Sequence, residues 1–378
     1  MTVTNDNKSS MMKKPEIKAQ VIGTESRRRL LRLADAVLSL CIFTPTTVFF
    51  WRGGWQLMDL YLYPNNPVPS VLISLCIGYT GALVMHSGQF LLQKYIQPEN
   101  TLTFVVLSRL YSVVFAFTSV NHWRGVWASL DYYTGYTLLS AGLSTFISIA
   151  VLLGMGATKS VIASPFCICT DNADTFFLAS TFFNSRPKDA GKFFSDVVFT
   201  VLIISSLSFS VWRGIWEMED FFFFPNDILY SALTSAILGV CMVIVIHTME
   251  EPAALLSTYL DAHTMWRLLL EEVWSISQIF AGITLWRGLW LLANLFFMPG
   301  DDVYELNLWI SYAIGMGGCI ILFVGNTNVM RGIAREGKLG KGEGMMLPNH
   351  YATQLYEFYQ NAGRRSDIVY KVGDTEEL

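Results

Sequence analysis

The residues with the greatest capacity for chemistry recur as one motif, Trp-Arg-Gly-x-Trp. Its four copies are Trp51-Arg52-Gly53-Gly54-Trp55, Trp123-Arg124-Gly125-Val126-Trp127, Trp212-Arg213-Gly214-Ile215-Trp216 and Trp286-Arg287-Gly288-Leu289-Trp290. Asp59, Asp131, Asp220 or Asn294 stands four residues after each second Trp. A guanidinium among indole faces can make cation–π contacts. Glycine lets the chain turn or pack closely there. If the segment is helical, each Arg and the acid seven residues on share one face, two turns apart. That spacing predicts Arg52 with Asp59, Arg124 with Asp131 and Arg213 with Asp220. Arg287, followed by Asn294, is left to use Asp301, Asp302, Glu305, a carbonyl or a lipid headgroup. The motif then reads as an anchored, self-paired helix corner. The alternative is a ring of four arginines lining an anion-attracting mouth, although acids outnumber these arginines on the same side.

Six further polar positions fall in or beside apolar stretches: Asp35, His86, Arg109, Asp196, His247 and Glu272. Ionisable residues inside membrane helices are functional candidates by default. Simple pairings account for most of them. Asp35 follows Arg32 by three residues and Asp196 follows Lys192 by four, so both can pair along their own helix. Arg109 and Glu272 occupy matching places with opposite sign and could pair with each other. His86 and His247 read as neutral rings bonded to carbonyls, with a proton or substrate site as the alternative. Two histidines without neighbouring acids make a poor metal site. No nucleophile with a local base, phosphate loop or metal-ligand cluster is evident. The chain therefore reads as non-enzymatic and without a cofactor.

The elements that must position these groups are membrane helices. The composition is 52% hydrophobic and only 15% charged, against about a quarter charged in soluble domains. Charge-free windows predict eight spans near 34–52, 70–92, 103–123, 132–156, 194–212, 228–249, 269–287 and 306–330. Each is long enough to cross a bilayer core as a self-bonded helix. Of the 26 Lys and Arg, only Arg52, Arg124, Arg213 and Arg287 fall on the outer side if the N-terminus is inside. That asymmetry predicts both ends in the cytosol. Residues 1–26 are polar and Arg27-Arg28-Arg29 leads straight into the first span, as in an uncleaved start. The net charge of −4 points to no nucleic-acid partner. Cys41, Cys76, Cys241 and Cys319 lie in spans and Cys167 and Cys169 in an inner loop, so no extracellular disulfide is expected. The inner pair reads as reduced cytosolic thiols, with palmitoylation as the alternative.

A shift of 161 residues maps Asp35 onto Asp196, Trp51 onto Trp212, Asp59 onto Asp220, Gly78 onto Gly239 and His86 onto His247. The expected organisation is a tail (1–26), a four-helix repeat (27–160), a loop (161–189), a second repeat (190–332) and a tail (333–378). A four-helix unit returns the chain to its starting side, so the repeats are parallel, each of two helix pairs. The even helices are rich in glycine (Gly78, Gly81, Gly142, Gly315, Gly318), which places them at the packed centre with the aromatic odd helices nearer lipid. The aromatic loop 157–193 suggests an interfacial helix. The C-terminal tail suggests a helix near 350–363, and its Glu376-Glu377-Leu378 ending suggests a groove-binding terminus.

With its four Trp-Arg-Gly corners, the stretch Cys41 to Pro45 and the Tyr63-Pro64-Asn65 turn, the chain resembles the Fuseless family of eight-pass animal membrane proteins over about residues 25–335. The resemblance implies a presynaptic membrane protein that supports voltage-gated calcium channel placement, active-zone organisation and neurotransmission. Asn294 departs from the aspartate of the other corners. The alternative function is a transporter or channel with a pathway between the parallel halves. Neither reading specifies an oligomeric state.

Overall fold

A computed structural model describes residues 25–260, 263–329, 342–347 and 351–360. The expected tail before residue 25, most of the Gly-rich stretch and the C-terminal ending lie outside the described residues. Among those residues the fold is helical throughout, without a strand. The long helices are α1 (Glu25–Tyr61), α2 (Pro67–Tyr95), α3 (Thr101–Thr134), α4 (Leu138–Met155), α5 (Ala190–Phe222), α6 (Ile228–Tyr259), α7 (Thr264–Phe296) and α8 (Tyr304–Ile321). A shorter α9 covers 351–360. Seven of them, α1 to α7, are long and apolar enough to cross a membrane. α8 is not among those seven: Glu305, Asn307 and its serine and glycines dilute its apolar content.

The chain forms two units. The smaller joins residues up to Leu38 with those from Asn349. Within it, Asp35 accepts from the Ala352 amide (2.5 Å) and the Thr353 hydroxyl (3.3 Å). The larger, Ser39–Pro348, is the helical bundle.

In the bundle the odd helices form the centre: α1 touches α3, α3 touches α5, α5 touches α7 and α7 returns to α1. Each even helix lies outside and packs on the next odd helix, α2 on α3, α4 on α5, α6 on α7 and α8 on α1. This reverses the expected layering. In their apolar stretches, 39–56% of the residues of α1, α3, α5 and α7 are buried, against 22–28% for α2, α4 and α6. The glycines serve helix crossing, and they do so from the outer layer. A Cβ on Gly78 would lie 2.3 Å from His122 Cα, one on Gly239 2.6 Å from Leu285 Cα, and one on Gly315 2.1 Å from the Phe50 amide nitrogen. The residues met stand immediately before the motif tryptophans.

The odd helices run through the motif and beyond its acid, to Tyr61, Thr134, Phe222 and Phe296. The charge-free windows stop at the arginine because they register only absence of charge. The residue four positions after each Asp, or after Asn294 at the fourth corner, has positive φ: Tyr63, Gly135, Phe224 and Met298 (53°, 80°, 50° and 47°), and it reverses the chain. Only one of the four is glycine, so the corner geometry holds the other three in a conformation that side chains disfavour.

Loop 157–193 is not an interfacial helix. It is an irregular plug across the bundle end opposite the motifs, and its Phe166, Phe176, Phe177 and Phe182 are buried. Short 3-10 turns at Thr158–Val161 and Ala173–Thr175 are its only regular structure before α5. Gln89 accepts from the Ala179 amide (2.8 Å) and Gln93 from the Phe177 amide (3.3 Å), which satisfies backbone that forms no helix. Helix α9 falls within the expected 350–363 stretch.

Candidate functional site

The four motif copies meet around the axis of the bundle. The first tryptophans form a closed edge-to-face ring, with centroids 5.4 Å apart for Trp51–Trp123, 5.3 Å for Trp123–Trp212, 5.3 Å for Trp212–Trp286 and 6.4 Å for Trp286–Trp51. The second tryptophans form another: Trp55–Trp127 5.5 Å, Trp127–Trp216 5.9 Å, Trp216–Trp290 5.8 Å and Trp290–Trp55 6.4 Å. The rings are one helical turn apart, about 6 Å at 1.5 Å per residue. Edge-to-face contact lays the positive rim of one indole on the negative face of the next.

The arginines point away from this axis, so they do not line a mouth. Each enters the groove between its own helix and the even helix packed on it. Arg124 donates through Nε to Asp59 (2.8 Å), through Nη1 to Ser74 (2.7 Å) and through Nη2 to Ser70 (2.7 Å). Arg287 repeats this with Asp220 (2.8 Å), Ser235 (2.5 Å) and Ser231 (2.7 Å). Arg213 uses Asp131 (2.7 Å), Ser140 (3.1 Å) and the Gly135 carbonyl (3.1 Å), and its Nε is 3.0 Å from Glu217. Arg52 donates to Asn294 (2.6 Å), Asn307 (2.9 Å) and Ser311 (2.7 Å).

Every acid therefore serves the arginine of the next corner, and the expected pairs within a helix do not form. The reason lies in the connectivity. The even helix that leaves one corner docks on the next odd helix and brings the preceding acid with it. Arg287 has a carboxylate partner, Asp220, and Arg52 is the arginine facing Asn294. The arginines are buried, whereas the Asp59, Asp131 and Asp220 side chains keep 51%, 38% and 27% exposure.

The motif glycine fixes the approach. A Cβ on Gly53 would lie 2.5 Å from the Tyr312 amide nitrogen, one on Gly125 2.8 Å from that of Leu75, one on Gly214 2.5 Å from the Ala141 carbonyl and one on Gly288 2.3 Å from the Ala236 amide nitrogen. Sequence reasoning passed over the matching signal, a Ser-x3-Ser (Asn-x3-Ser in α8) in each even helix. It also passed over Glu217 and Glu219, buried on α5; Glu219 accepts from Thr284.

The other polar candidates lie apart from the motif lattice. Arg109 pairs with Asp171 of the plug (2.5 Å), and Glu272 accepts from Thr158 (2.7 Å), so the expected Arg109–Glu272 pair is not made. Asp196 accepts from Thr181 (2.6 Å) and from the amides of Phe183 and Ser185 (both 2.9 Å) and anchors the plug, while Lys192 pairs with Asp189 (3.0 Å). His86 Nδ1 meets the Ala82 carbonyl (2.9 Å). His247 packs near the Phe166 ring, and its Nε2 is buried without a partner. The two histidines are thus held differently.

The tryptophan rings and the plug together line a cavity of about 550 Å³. All eight motif tryptophans line it, with His86, Cys167, Cys169 and the plug segment 159–164. Trp212 and Trp286 donate to the plug carbonyls of Val161 (2.9 Å) and Ser164 (2.7 Å). Hydrogen bonding with Cys169, and then burial, push the Cys167 thiol well above its usual range, so it stays protonated.

No curated protein and no solved structure matches the chain. The Fuseless family model matches residues 30–329, a range that takes in all four corners and the plug between the second and third. On that match the chain belongs to the Fuseless family.

Proposed function

We propose that this protein is a non-enzymatic, eight-span scaffold of the presynaptic plasma membrane. Both of its ends lie in the cytosol, and it holds voltage-gated calcium channels and active-zone proteins in place. α8 is the eighth span, because it docks on α1 as α2 docks on α3. Two parallel four-helix repeats generate the four corners. Family membership supports the synaptic role. The carrying observation is that the guanidiniums, the only groups repeated at all four corners with reactive potential, are buried and bonded to neighbouring helices. Such groups lock a shape and leave the lipid-facing and cytosolic surfaces to act.

The test is removal of the protein from neurons, followed by imaging of calcium channels at terminals. Channel density falls and returns with the intact chain; unchanged density and release overturn the scaffold reading. A cysteine at position 65 labels from outside and one at position 188 only from inside. Reversed labelling overturns the topology.

A second reading has one observation in its favour. The axial cavity lies where a solute path between the halves would run. The plug obstructs that path, so transport requires it to move. Solute or ion flux in liposomes carrying the purified protein would favour this reading.

A further inference from the structure

The axial cavity has walls and an end of different chemistry. Its walls are the indoles of the two rings, and its far end is the plug. Its volume, about 550 Å³, falls in the range of sites for a single small molecule, roughly 300–1,000 Å³. Aromatic walls alone would suit an organic cation. The lining argues against one: no carboxylate occurs among its described residues, whereas a cation, Lys159, which also donates to the Gly344 carbonyl (2.6 Å), does.

Several donors at the cavity also lack a described partner. Trp212 and Trp286 are satisfied by plug carbonyls, whereas the other six motif indoles donate to no described residue. Trp123 Nε1 is fully enclosed in that state. Ser164, 1% exposed and part of the lining, has a hydroxyl without a partner. Buried polar atoms of this kind are rare unless water or a ligand meets them. Water could serve the plug end, yet it suits an indole-walled sleeve poorly. A molecule with an apolar body and an oxygen-bearing head packs along the indole faces and offers the Ser164 hydroxyl an acceptor.

We propose that the cavity binds a single acyl chain whose carboxyl or ester oxygens accept from the Lys159 and Ser164 end of the plug. The surrounding bilayer supplies such molecules as free fatty acid or as lysolipid. This holds whether the protein acts as a scaffold or passes solutes.

The indoles provide the readout, because bromine quenches tryptophan on contact. The full chain in maltoside micelles is titrated with 9,10-dibromostearic acid. Quenching saturates at one equivalent and is reversed by oleic acid. Reversal by lysophosphatidylcholine as well assigns the site to the acyl chain of either source; reversal by oleic acid alone assigns it to the free acid. Ser180→Phe, which narrows the cavity from its lining, weakens the saturable phase at least fivefold. Lys159→Gln keeps a donor for the Gly344 carbonyl, weakens the acid at least fivefold, and leaves the dibromo methyl ester nearly unchanged. Quenching that rises linearly without saturation, or is the same in Ser180→Phe, places the probe on the lipid-facing surface and overturns the site. Equal displacement by dodecyltrimethylammonium overturns the assignment of the head.

Discussion

The corners built on Arg287 and on Arg52 share one geometry and differ in charge. Each guanidinium is buried between an odd and an even helix and reaches two polar side chains four residues apart on the even one. At Arg287 a third acceptor, Asp220, carries the compensating charge. At Arg52 all three acceptors are neutral: Asn294, Asn307 and Ser311. A buried cation without a carboxylate retains its desolvation cost and loses the Coulombic gain. The α8–α1 contact closes the ring of helices, so the least compensated arginine sits where the last helix meets the first. The fourfold arrangement rests on close helix crossing and hydrogen bonding, which all corners share, and only secondarily on ion pairing.

Substitutions can separate these contributions. The largest effect is expected at the crossing itself. Gly288→Leu and Gly53→Leu drive a side chain into the backbone of the partner helix and should each cost more than about 3 kcal/mol. Cell-surface level should be lost for both, and normal expression of either would break the claim of a shared crossing. Next comes the arginine. Arg287→Met strands Asp220, which is partly solvated, and should cost about 2–3 kcal/mol in thermal unfolding, below the full penalty for an orphaned buried charge. Arg52→Met strands no charge and should cost less than about 1 kcal/mol. The opposite order would overturn the charge comparison. A double-mutant cycle then tests the partners. Arg124 with Asp59 should couple by about 1–2 kcal/mol, and Arg124 with Asp131 by nearly none. Coupling only within the helix would rule out the exchange between corners. Asn294→Asp should give Arg52 its missing carboxylate and raise stability by about 1 kcal/mol at neutral pH, and a loss of stability would show that this corner requires neutrality.

The smallest effect lies away from the corners. The Lys192 amide, and then its ammonium, hold the Asp189 carboxyl below its ordinary value at the start of α5. A depressed carboxylate stabilises above its unfolded value, and that contribution disappears as pH falls through the lower folded value. Asp189→Asn should flatten this slight acid-side slope in melting temperature and leave neutral stability almost unchanged.

Much of this molecule was legible in one dimension. The spacing of charge-free windows located seven helices that can cross a membrane and the less apolar α8, because lipid tolerates few charges and long hydrogen-bonded helices answer both demands. Recurrence of Trp-Arg-Gly marked four corresponding positions, and those residues were sufficient to suggest the family. The Ser-x3-Ser signal was also present in the sequence, but serines draw little notice until an arginine faces them. Partnership was not legible. Arg124 and Asp131 are seven residues apart on one helix, yet Arg124 bonds Asp59, 65 residues earlier. Nothing local distinguishes the two acids; the choice depends on which odd helix α2 docks against. The same docking put the glycine-rich helices on the outside, since a small residue permits close approach from either side of an interface. It also drew the aromatic loop into the bundle end, where its phenylalanines are buried among apolar side chains that no hydropathy window brings together. The sequence by itself determined which segments are apolar helices and which residues repeat, through short-range rules of solvation and backbone bonding. Tertiary structure alone decided who meets whom, because that depends on the path of the whole chain around the ring.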